Sequence, residues 1–310
     1  MIDLLKLFKR PGRTDVFELG EKRLAQLKEE GRYSCYRNTR ATLRKLSLFR
    51  RGKRLPVKEV TPEMMAAFRD FLFQEMVNSR NTVCENLKIV SQLLAEAGVD
   101  KNPCVGLGVT REQSERTYLS DEELSRMMAL KLAAGSEMDI ARDIFFVECR
   151  TGLRISDLLQ LRWDDLSEGF IRIRMQKTRR RVEVPVTEGV QHVLDKYRSL
   201  FSRAGVLIFP ILERQPLVKE DSRDVFELER RLISATARVN LMIKAVAKRA
   251  GVHKNISTHV GRHTFATMLI NKGASIYEIK ELLGHQDIKV TQVYTHLAGH
   301  RKQELVQLLE

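Results

Sequence analysis

The sequence predicts a mainly α-helical protein with one small β-sheet, arranged in two domains. Its 310 residues are enough to build two hydrophobic cores. Apolar residues recur at helical spacing between residues 13 and 98, and helical patterns dominate again from about residue 191. The alternation that is typical of strands is confined to a short stretch between residues 170 and 186. We therefore expect a helical first domain and an α+β second domain.

The first domain is predicted to contain four helices. The patterns place them at Thr14–Glu30, at about Ser34–Phe49, from Thr61 onward, and at about Asn81–Ala97. The third helix has Pro at its first position, and Gly98 closes the fourth.

The periodicity is lost over residues 101–117, which collect Pro, Gly and charged residues. This composition is typical of a linker between domains. The sequence therefore predicts an extension at residues 1–12, a first domain at 13–100 and a second domain at 118–310.

The second domain opens with a helix capped by Ser120 and continues into a buried apolar segment at residues 140–149. The strands Phe170–Met175 and Val182–Val186 follow, separated by a basic turn, and they predict a hairpin. Residues 211–230 are highly charged and give no clear structural signal.

The charge balance points to a polyanionic partner. The chain has 54 Lys and Arg against 40 Asp and Glu, and residues 1–60 alone contain 17 basic and 7 acidic residues. Such an asymmetry is typical of nucleic-acid binding, although a solvated basic surface is the alternative.

Other composition signals exclude several classes of protein. The four cysteines are scattered without paired spacing, which favours reduced thiols in a cytoplasmic protein over a disulfide or zinc framework. The sequence contains no run of about 18 apolar residues, so we expect no membrane span. Lys6 and Lys9 interrupt the apolar N-terminus, so that no signal peptide is expected.

Several basic side chains are predicted to contact DNA phosphates. Arg37, Arg40 and Arg44 share one face of the second helix, where a merely soluble face is the alternative. The remaining candidates belong to two basic turns and are Arg50, Arg51, Lys53, Arg54, Arg179 and Arg180.

Four short segments of the second domain hold the candidate catalytic residues. Arg154 starts a helix after Gly152, and Asp157 follows one turn later. The other candidates, in chain order, are Lys177 in the basic turn, His259 and Arg262 one helical turn apart, His285 after a Leu-Gly pair, and Tyr294 nine residues further on.

These residue types suit phosphodiester exchange. Such a reaction needs an oxygen nucleophile, a proton for the leaving oxygen and positive charge around the phosphate. Taken singly, Arg154 and Asp157 also fit a structural ion pair, and the i, i+4 spacing of His259 and His263 also fits zinc. The two histidines lack the glutamate of a His-Glu-x-x-His arrangement and have no Cys nearby, and the sequence contains no acidic cluster typical of a two-metal nuclease. We therefore expect no metal and no cofactor.

The order and spacing of these residues resemble the motif of the tyrosine recombinases, the phage integrase family of bacteria and mobile elements. That motif consists of an Arg, a hairpin Lys, a His-x-x-Arg, a Leu-Gly-His and a Tyr. The resemblance is strongest over residues 118–296. It implies a SAM-like core-binding domain at 13–100 and a catalytic domain at 118–310. It also implies that the chain lacks the additional arm-binding domain of some integrases and that about 297–310 forms a helix that docks on a neighbouring subunit.

The resemblance also implies roles for the matching residues. Tyr294 attacks the scissile phosphate and forms a 3′-phosphotyrosine, His259 is the base, and Lys177 is the acid that protonates the 5′-oxygen. Arg154 and Arg262 clamp the phosphate. His285 donates a further hydrogen bond to the phosphate, and Asp157 orients its neighbours.

The implied function is site-specific DNA recombination that needs neither ATP nor metal. The implied partners are double-stranded DNA with a specific core site and further copies of the chain in a tetramer on two DNA sites, without membrane association. Accessory DNA-bending proteins are a further partner class that the residues do not identify. A type IB topoisomerase and a non-catalytic DNA-binding regulator remain as alternatives.

Overall fold

The protein is described here from a computed structural model. The described residues are 14–112, 117–201, 207–212, 222–288 and 291. They form two compact units, the first from residues 14–112 and 222–230 and the second from the rest. The described chain is mainly helical with one three-stranded sheet, which confirms the predicted fold class. Within these ranges, no helix combines the length and the apolar character needed to cross a membrane.

The first unit contains the four predicted helices. They are α1 (Val16–Glu29), α2 (Tyr33–Phe49), α3 (Pro62–Gln74) and α4 (Arg80–Glu96). The hydroxyl of Thr61 caps α3, and the hydroxyl of Ser79 caps α4. Their apolar faces enclose one core in which Leu46, Phe68 and Val90 are fully buried.

Two polar contacts fix how these helices pack. The buried carboxylate of Asp15 caps α1 at the Phe17 N–H and also accepts the N–H of Leu55, at 2.7 Å. The Thr42 hydroxyl of α2 donates to Oδ1 of the buried Asn86 of α4 at 3.0 Å. Because both contacts are buried, losing either partner would leave an unpaired polar group in the core.

The second unit contains seven helices and three strands in its described part. In chain order they are α5 (Asp121–Met128), α6 (Glu137–Thr151), α7 (Ile155–Leu158), β1 (Leu166–Ser167), β2 (Phe170–Arg174), β3 (Arg181–Pro185), α8 (Glu188–Phe201), α9 (Ser222–Arg249), α10 (Thr258–Asn271) and α11 (Ile276–Leu283). The first turns of α9 belong to the first unit, where Phe226 packs edge-on against Tyr33 and Tyr36.

The sheet is antiparallel in the order β1-β2-β3. The hairpin β2-β3 pairs Ile171 with Val184 and Ile173 with Val182, which places the alternating apolar residues on one face. The strand β1 has only two residues, which is too short to show the alternation by which a sequence predicts a strand.

Helix α6 is the centre of the second unit, and most of its residues are buried. It carries a buried, charge-balanced cluster in which Asp139 and Asp143 pair with Arg142 and with Lys196 of α8, at 2.6 to 2.9 Å. On another side α6 meets α10, where a Cβ atom at Gly261 would lie 2.7 Å from a carboxylate oxygen of Glu148. A glycine at this position therefore lets the two helices approach closely.

Candidate active site

The site is built around the turn that follows α6. Gly152 ends that helix in the left-handed conformation, with φ of +66°. A Cβ atom there would lie 2.4 Å from a ring carbon of Phe265 and 2.9 Å from a methyl carbon of Leu283. Only glycine fits both the backbone angle and the space, so the chain can turn sharply and place Arg154 at the start of α7.

Arg262 lies on α10 with its side chain buried beneath this turn. Its Nη1 donates to the carbonyl oxygen of Gly152, and its Nη2 donates to the carbonyl oxygen of Leu283 at 3.1 Å. Nη2 also lies 3.2 Å from Nε2 of His285. The guanidinium is therefore held by three separate segments and cannot swing freely.

His285 follows α11, which Gly284 ends in the left-handed conformation with φ of +59°. A Cβ atom at Gly284 would lie 2.6 Å from the sulfur of Met175, so this turn packs against the hairpin. The His285 ring is buried, and its Nδ1 lies 2.9 Å from the hydroxyl of Thr291. A guanidinium only donates, so Nε2 of His285 accepts from Arg262 and the ring proton lies on Nδ1, toward Thr291.

This geometry bears on the role predicted for His285. In the structure its Nε2 faces Arg262, and donation from Nε2 to a phosphate would require an additional proton on the ring.

Arg154 is half-buried, and its Nη1 lies 3.0 Å from the sulfur of Met175. Burial lowers the pKa of the Arg154 guanidinium, while the nearby carboxylate of Asp157 opposes that change. Among the described residues, the Arg154 guanidinium and the Asp157 carboxylate do not approach within the 4.0 Å of an ion pair. A tight structural ion pair between the two, the alternative left open by the sequence, is therefore absent from this part of the structure.

Asp157 instead holds the hairpin. Its Oδ1 accepts the backbone N–H of Gln176 at 2.9 Å, and its buried Oδ2 has no hydrogen-bond partner among the described residues. Burial raises the pKa of Asp157, although the Gln176 hydrogen bond and the charges of Arg154 and Arg262 oppose the rise. Asp157 was predicted to orient a neighbour, and the neighbour that it holds is Gln176, the residue before Lys177.

Lys177 and His259 lie at the exposed side of the site. Lys177 occupies the tip of the hairpin β2-β3, and His259 lies in the first turn of α10. Although His259 is partly exposed, the protein packed around it lowers its pKa by desolvation, and three cations lower it further: Arg262, Lys177 and Arg154. A ring with a lowered pKa is neutral at neutral pH and is free to accept a proton.

The structure therefore brings five of the six predicted catalytic residues to one place, because Arg154, Lys177 and Arg262 all lower the pKa of His259 and His285 contacts Arg262. Tyr294 lies outside the described residues, as do the predicted extension at 1–12 and the predicted helix at 297–310.

One residue near the site was not predicted from the sequence. Glu148 of α6 is buried, and its Oε2 has no hydrogen-bond partner among the described residues. Desolvation raises the pKa of Glu148 well above its usual value, while the charge of Arg262 opposes the rise. No local pattern marks it, because α6 carries several other charged residues, among them Asp139, Arg142 and Asp143, and its sequence does not show which of them lies near Arg262.

The predicted DNA contacts in the first unit differ in their surroundings. Arg37, Arg40 and Arg44 are exposed along α2 and have no ion-pair partner among the described residues, and Arg51 and Lys53 are exposed as well. Arg50 pairs with Glu59 at 3.0 Å, and Arg54 pairs with Glu18 at 2.5 Å. Two of the predicted contacts are thus already engaged with carboxylates of their own unit.

The two arginines of the hairpin also differ. Arg179 is exposed at a φ of +58°, whereas Nη1 of Arg180 donates to the carbonyl oxygen of His285 at 3.2 Å. Arg180 therefore ties the hairpin to the turn after α11, which the sequence did not predict.

Two protein-family models match the chain. The phage integrase family model matches residues 117–301, and the phage integrase SAM-like domain model matches residues 15–102. The first match covers more than half of the chain, and the chain belongs to the phage integrase family.

Similar curated proteins carry recombinase names. The chain is 32% identical over 197 residues to tyrosine recombinase XerD of Oceanobacillus iheyensis, an alignment that covers 61% of this chain and 60% of that protein. It is 28% identical over 252 residues to tyrosine recombinase XerC of Thermodesulfovibrio yellowstonii, covering 77% of this chain and 80% of the other. The chain also aligns with a tyrosine recombinase of Thermosipho africanus and with XerD of Listeria monocytogenes, and each alignment covers about half of that protein's length.

Solved structures share the fold. A lambda integrase dimer bound to a COC′ core site aligns with a TM-score of 0.64 at 18% identity, covering 91% of this chain and 95% of that one. A lambda integrase tetramer bound to a Holliday junction aligns with a TM-score of 0.65 at 17% identity, covering 94% and 80%. At this identity the likeness establishes a common architecture.

Proposed function

We propose that this protein is a site-specific DNA recombinase that cleaves and rejoins DNA through a covalent 3′-phosphotyrosine at Tyr294. The observation that carries the proposal is the fixed guanidinium of Arg262, held by the carbonyl oxygens of Gly152 and Leu283 beside His285. A preorganised cation of this kind stabilises negative charge that develops on a phosphate without having to reorganise during the reaction. The names of the recombinase relatives support the same function.

The chemical steps follow from the residue types. The phenolic oxygen of Tyr294 bonds to phosphorus while the bond from phosphorus to the 5′-oxygen breaks. The phenolic proton goes to His259, whose lowered pKa keeps its ring neutral, and Lys177 gives a proton to the departing 5′-oxygen. The 5′-hydroxyl of a second strand then attacks phosphorus and releases the tyrosine, with the proton transfers reversed.

Arg154 and Arg262 stabilise the charge that builds on the two non-bridging oxygens during both steps. Each fixed donor of this kind contributes about 3 to 4 kcal/mol to the stability of a transition state. Asp157 and His285 act through their neighbours, the first on the hairpin and the second on Arg262.

We propose double-stranded DNA with a specific core site as the partner, and a tetramer of this chain on two such sites as the exchanging assembly. The lambda integrase structures, a dimer on a core site and a tetramer on a Holliday junction, support this assignment by analogy. In this assembly, residues 297–310 would dock on the neighbouring subunit.

The function can be tested without knowing the DNA site. A pool of nicked duplexes with randomised sequence around the nick is incubated with the protein, and adducts that resist detergent are sequenced. We expect the wild-type chain to enrich a sequence that the Tyr294→Phe variant binds but does not trap. Adducts that persist in Tyr294→Phe, or no enriched adduct with the wild type, would overturn the proposal.

The recovered duplex then separates strand exchange from DNA relaxation. We expect joint molecules when two recovered sites are supplied on separate duplexes. Relaxation of supercoiled DNA that carries the recovered site, without joint molecules, would instead identify a topoisomerase. A regulator would already show itself in the selection, which would then yield bound duplexes but no adduct.

A further inference from the structure

The loop that carries Lys177 is fixed internally. The backbone N–H of Met175 donates to the carbonyl oxygen of Arg180 at 2.8 Å, and the N–H of Arg179 donates to the carbonyl oxygen of Met175 at 2.9 Å. Arg179 takes the left-handed conformation that this tight loop requires. The loop therefore moves as one piece, and the direction of Lys177 depends on how that piece is held.

Gln160, just beyond α7, provides one attachment. Its side-chain Nε2 donates to the carbonyl oxygen of Ser156 at 2.8 Å and to the side-chain Oε1 of Gln176 at 2.6 Å. An amide nitrogen has two protons, and both are used here. The bond to Ser156 fixes the Gln160 side chain against α7, so that the bond to Gln176 reaches the hairpin from a fixed point.

A second attachment reaches the same hairpin residue. Oδ1 of Asp157 accepts the backbone N–H of Gln176 at 2.9 Å. A single hydrogen bond leaves a pivot about which the loop can rotate, whereas two bonds to the backbone and the side chain of one residue remove that rotation. Gln176 immediately precedes Lys177, and α7 immediately follows Arg154. The two bonds thus join the loop of Lys177 to the helix that presents Arg154.

We propose that Gln160 is a positioning residue that, through Gln176, holds Lys177 in register with Arg154. The inference rests on the proposed recombinase function and on the assignment of Lys177 as the acid. A lysine side chain is long and flexible, and it protonates a leaving oxygen only from within hydrogen-bond reach. Fixing its backbone restricts the positions that the ammonium group visits.

A substrate that needs no acid provides the test. In the duplex recovered by the selection above, the 5′-oxygen that leaves is replaced by sulfur. A thiolate leaves without being protonated because its pKa is near 8.5, far below that of an alcohol. Cleavage rates of both duplexes are measured in single turnover for the wild type, Lys177→Ala, Gln160→Ala and Gln176→Ala.

Gln191→Ala is the matched control. Gln191 of α8 also donates its side-chain amide over four residues, to Asp195 at 2.8 Å, and it lies outside the hairpin and α7. We expect it to cleave both duplexes like the wild type.

We expect Lys177→Ala to slow cleavage of the ordinary duplex by about 100-fold or more, and Gln160→Ala to slow it by about tenfold to 100-fold. The sulfur duplex should restore both variants to near the wild-type rate, which also shows that they are folded. The double variant Gln160→Ala/Gln176→Ala should be no slower than the slower single variant.

Two results would overturn the inference. One is a Gln160→Ala variant that cleaves the ordinary duplex at the wild-type rate, and the other is a defect of equal size on both duplexes. Failure of the sulfur duplex to rescue Lys177→Ala would instead contradict the assignment of Lys177 as the acid.

Discussion

Nη2 of Arg262 lies 3.2 Å from Nε2 of His285, and both side chains are buried. The guanidinium can only donate, which fixes the histidine proton on Nδ1, where the Thr291 hydroxyl lies 2.9 Å away. The arginine, the histidine and the threonine therefore form a chain in which each member orients the next. The orientation of the His285 ring, and with it one of the hydrogen bonds of the Arg262 guanidinium, thus depends on Thr291.

Replacing Thr291 tests this chain. Thr291→Val keeps the shape and removes the acceptor for Nδ1, and the loss of a buried hydrogen bond costs about 1 to 3 kcal/mol. We expect the rate of covalent adduct formation to fall by about tenfold or more in Thr291→Val, and to stay near the wild-type rate in Thr291→Ser. Equal defects in both variants would show that the methyl group, not the hydroxyl, matters.

Gly152 and Gly251 have the same φ of +66° but different surroundings. Replacing each by Ala therefore separates the cost of the left-handed backbone from the cost of a steric clash. An added Cβ at Gly152 meets Phe265 at 2.4 Å, whereas nothing lies within 4 Å at Gly251. We expect Gly251→Ala to lower the free energy of unfolding by about 1 to 2 kcal/mol through the backbone alone. Gly152→Ala should lose about 1 to 3 kcal/mol more through the clash.

The single tryptophan, Trp163, lies in the second unit with both glycines. Its fluorescence during urea unfolding reports the stability of that unit. Equal losses in the two alanine variants would mean that Phe265 and its neighbours yield to the added atom without cost.

Glu148 is expected to make stability depend on pH. Its pKa is raised in the folded state, so the folded protein holds this proton more tightly than the unfolded chain does. The contribution of Glu148 to stability is therefore fully present below the unfolded pKa of about 4.3 and is lost as pH rises toward the folded pKa.

Glu148→Gln removes this titration. We expect the stability of the variant relative to the wild type to increase between pH 5 and pH 7.5, as measured by urea unfolding at both values. The exposed Glu281→Gln is the control and should show no such change. A difference between Glu148→Gln and the wild type that is the same at both pH values would contradict the assignment.

The arginine row of α2 is expected to set the salt dependence of DNA binding. Each phosphate contact on duplex DNA contributes a slope of about −0.9 to the logarithm of affinity against the logarithm of salt concentration. Replacing Arg37, Arg40 and Arg44 by Ala should therefore reduce that slope by about 3 in a binding titration. Arg23→Ala is the control, because Arg23 already lies within 4 Å of Glu30 and Glu96. An unchanged slope in the triple variant would assign these arginines to a solvated surface.

The sequence alone determined the features that depend on neighbours along the chain. Helix periodicity and capping residues such as Thr61 and Ser120 fixed where the helices begin, and alternation fixed the hairpin β2-β3. The ordered set from Arg154 to Tyr294 also lies in the sequence, because each residue type is dictated by the chemistry of the phosphate.

The tertiary structure alone decided what these side chains face. The carbonyl oxygens that hold Arg262, the bond from Asp157 to Gln176 and the bond from Arg180 to His285 join residues 19 to 110 positions apart. Burial of Glu148 depends in the same way on the close approach of Gly261. Hydrogen bonds and desolvation act over a few ångströms in space, and no local pattern in the chain records which distant groups will be brought that close.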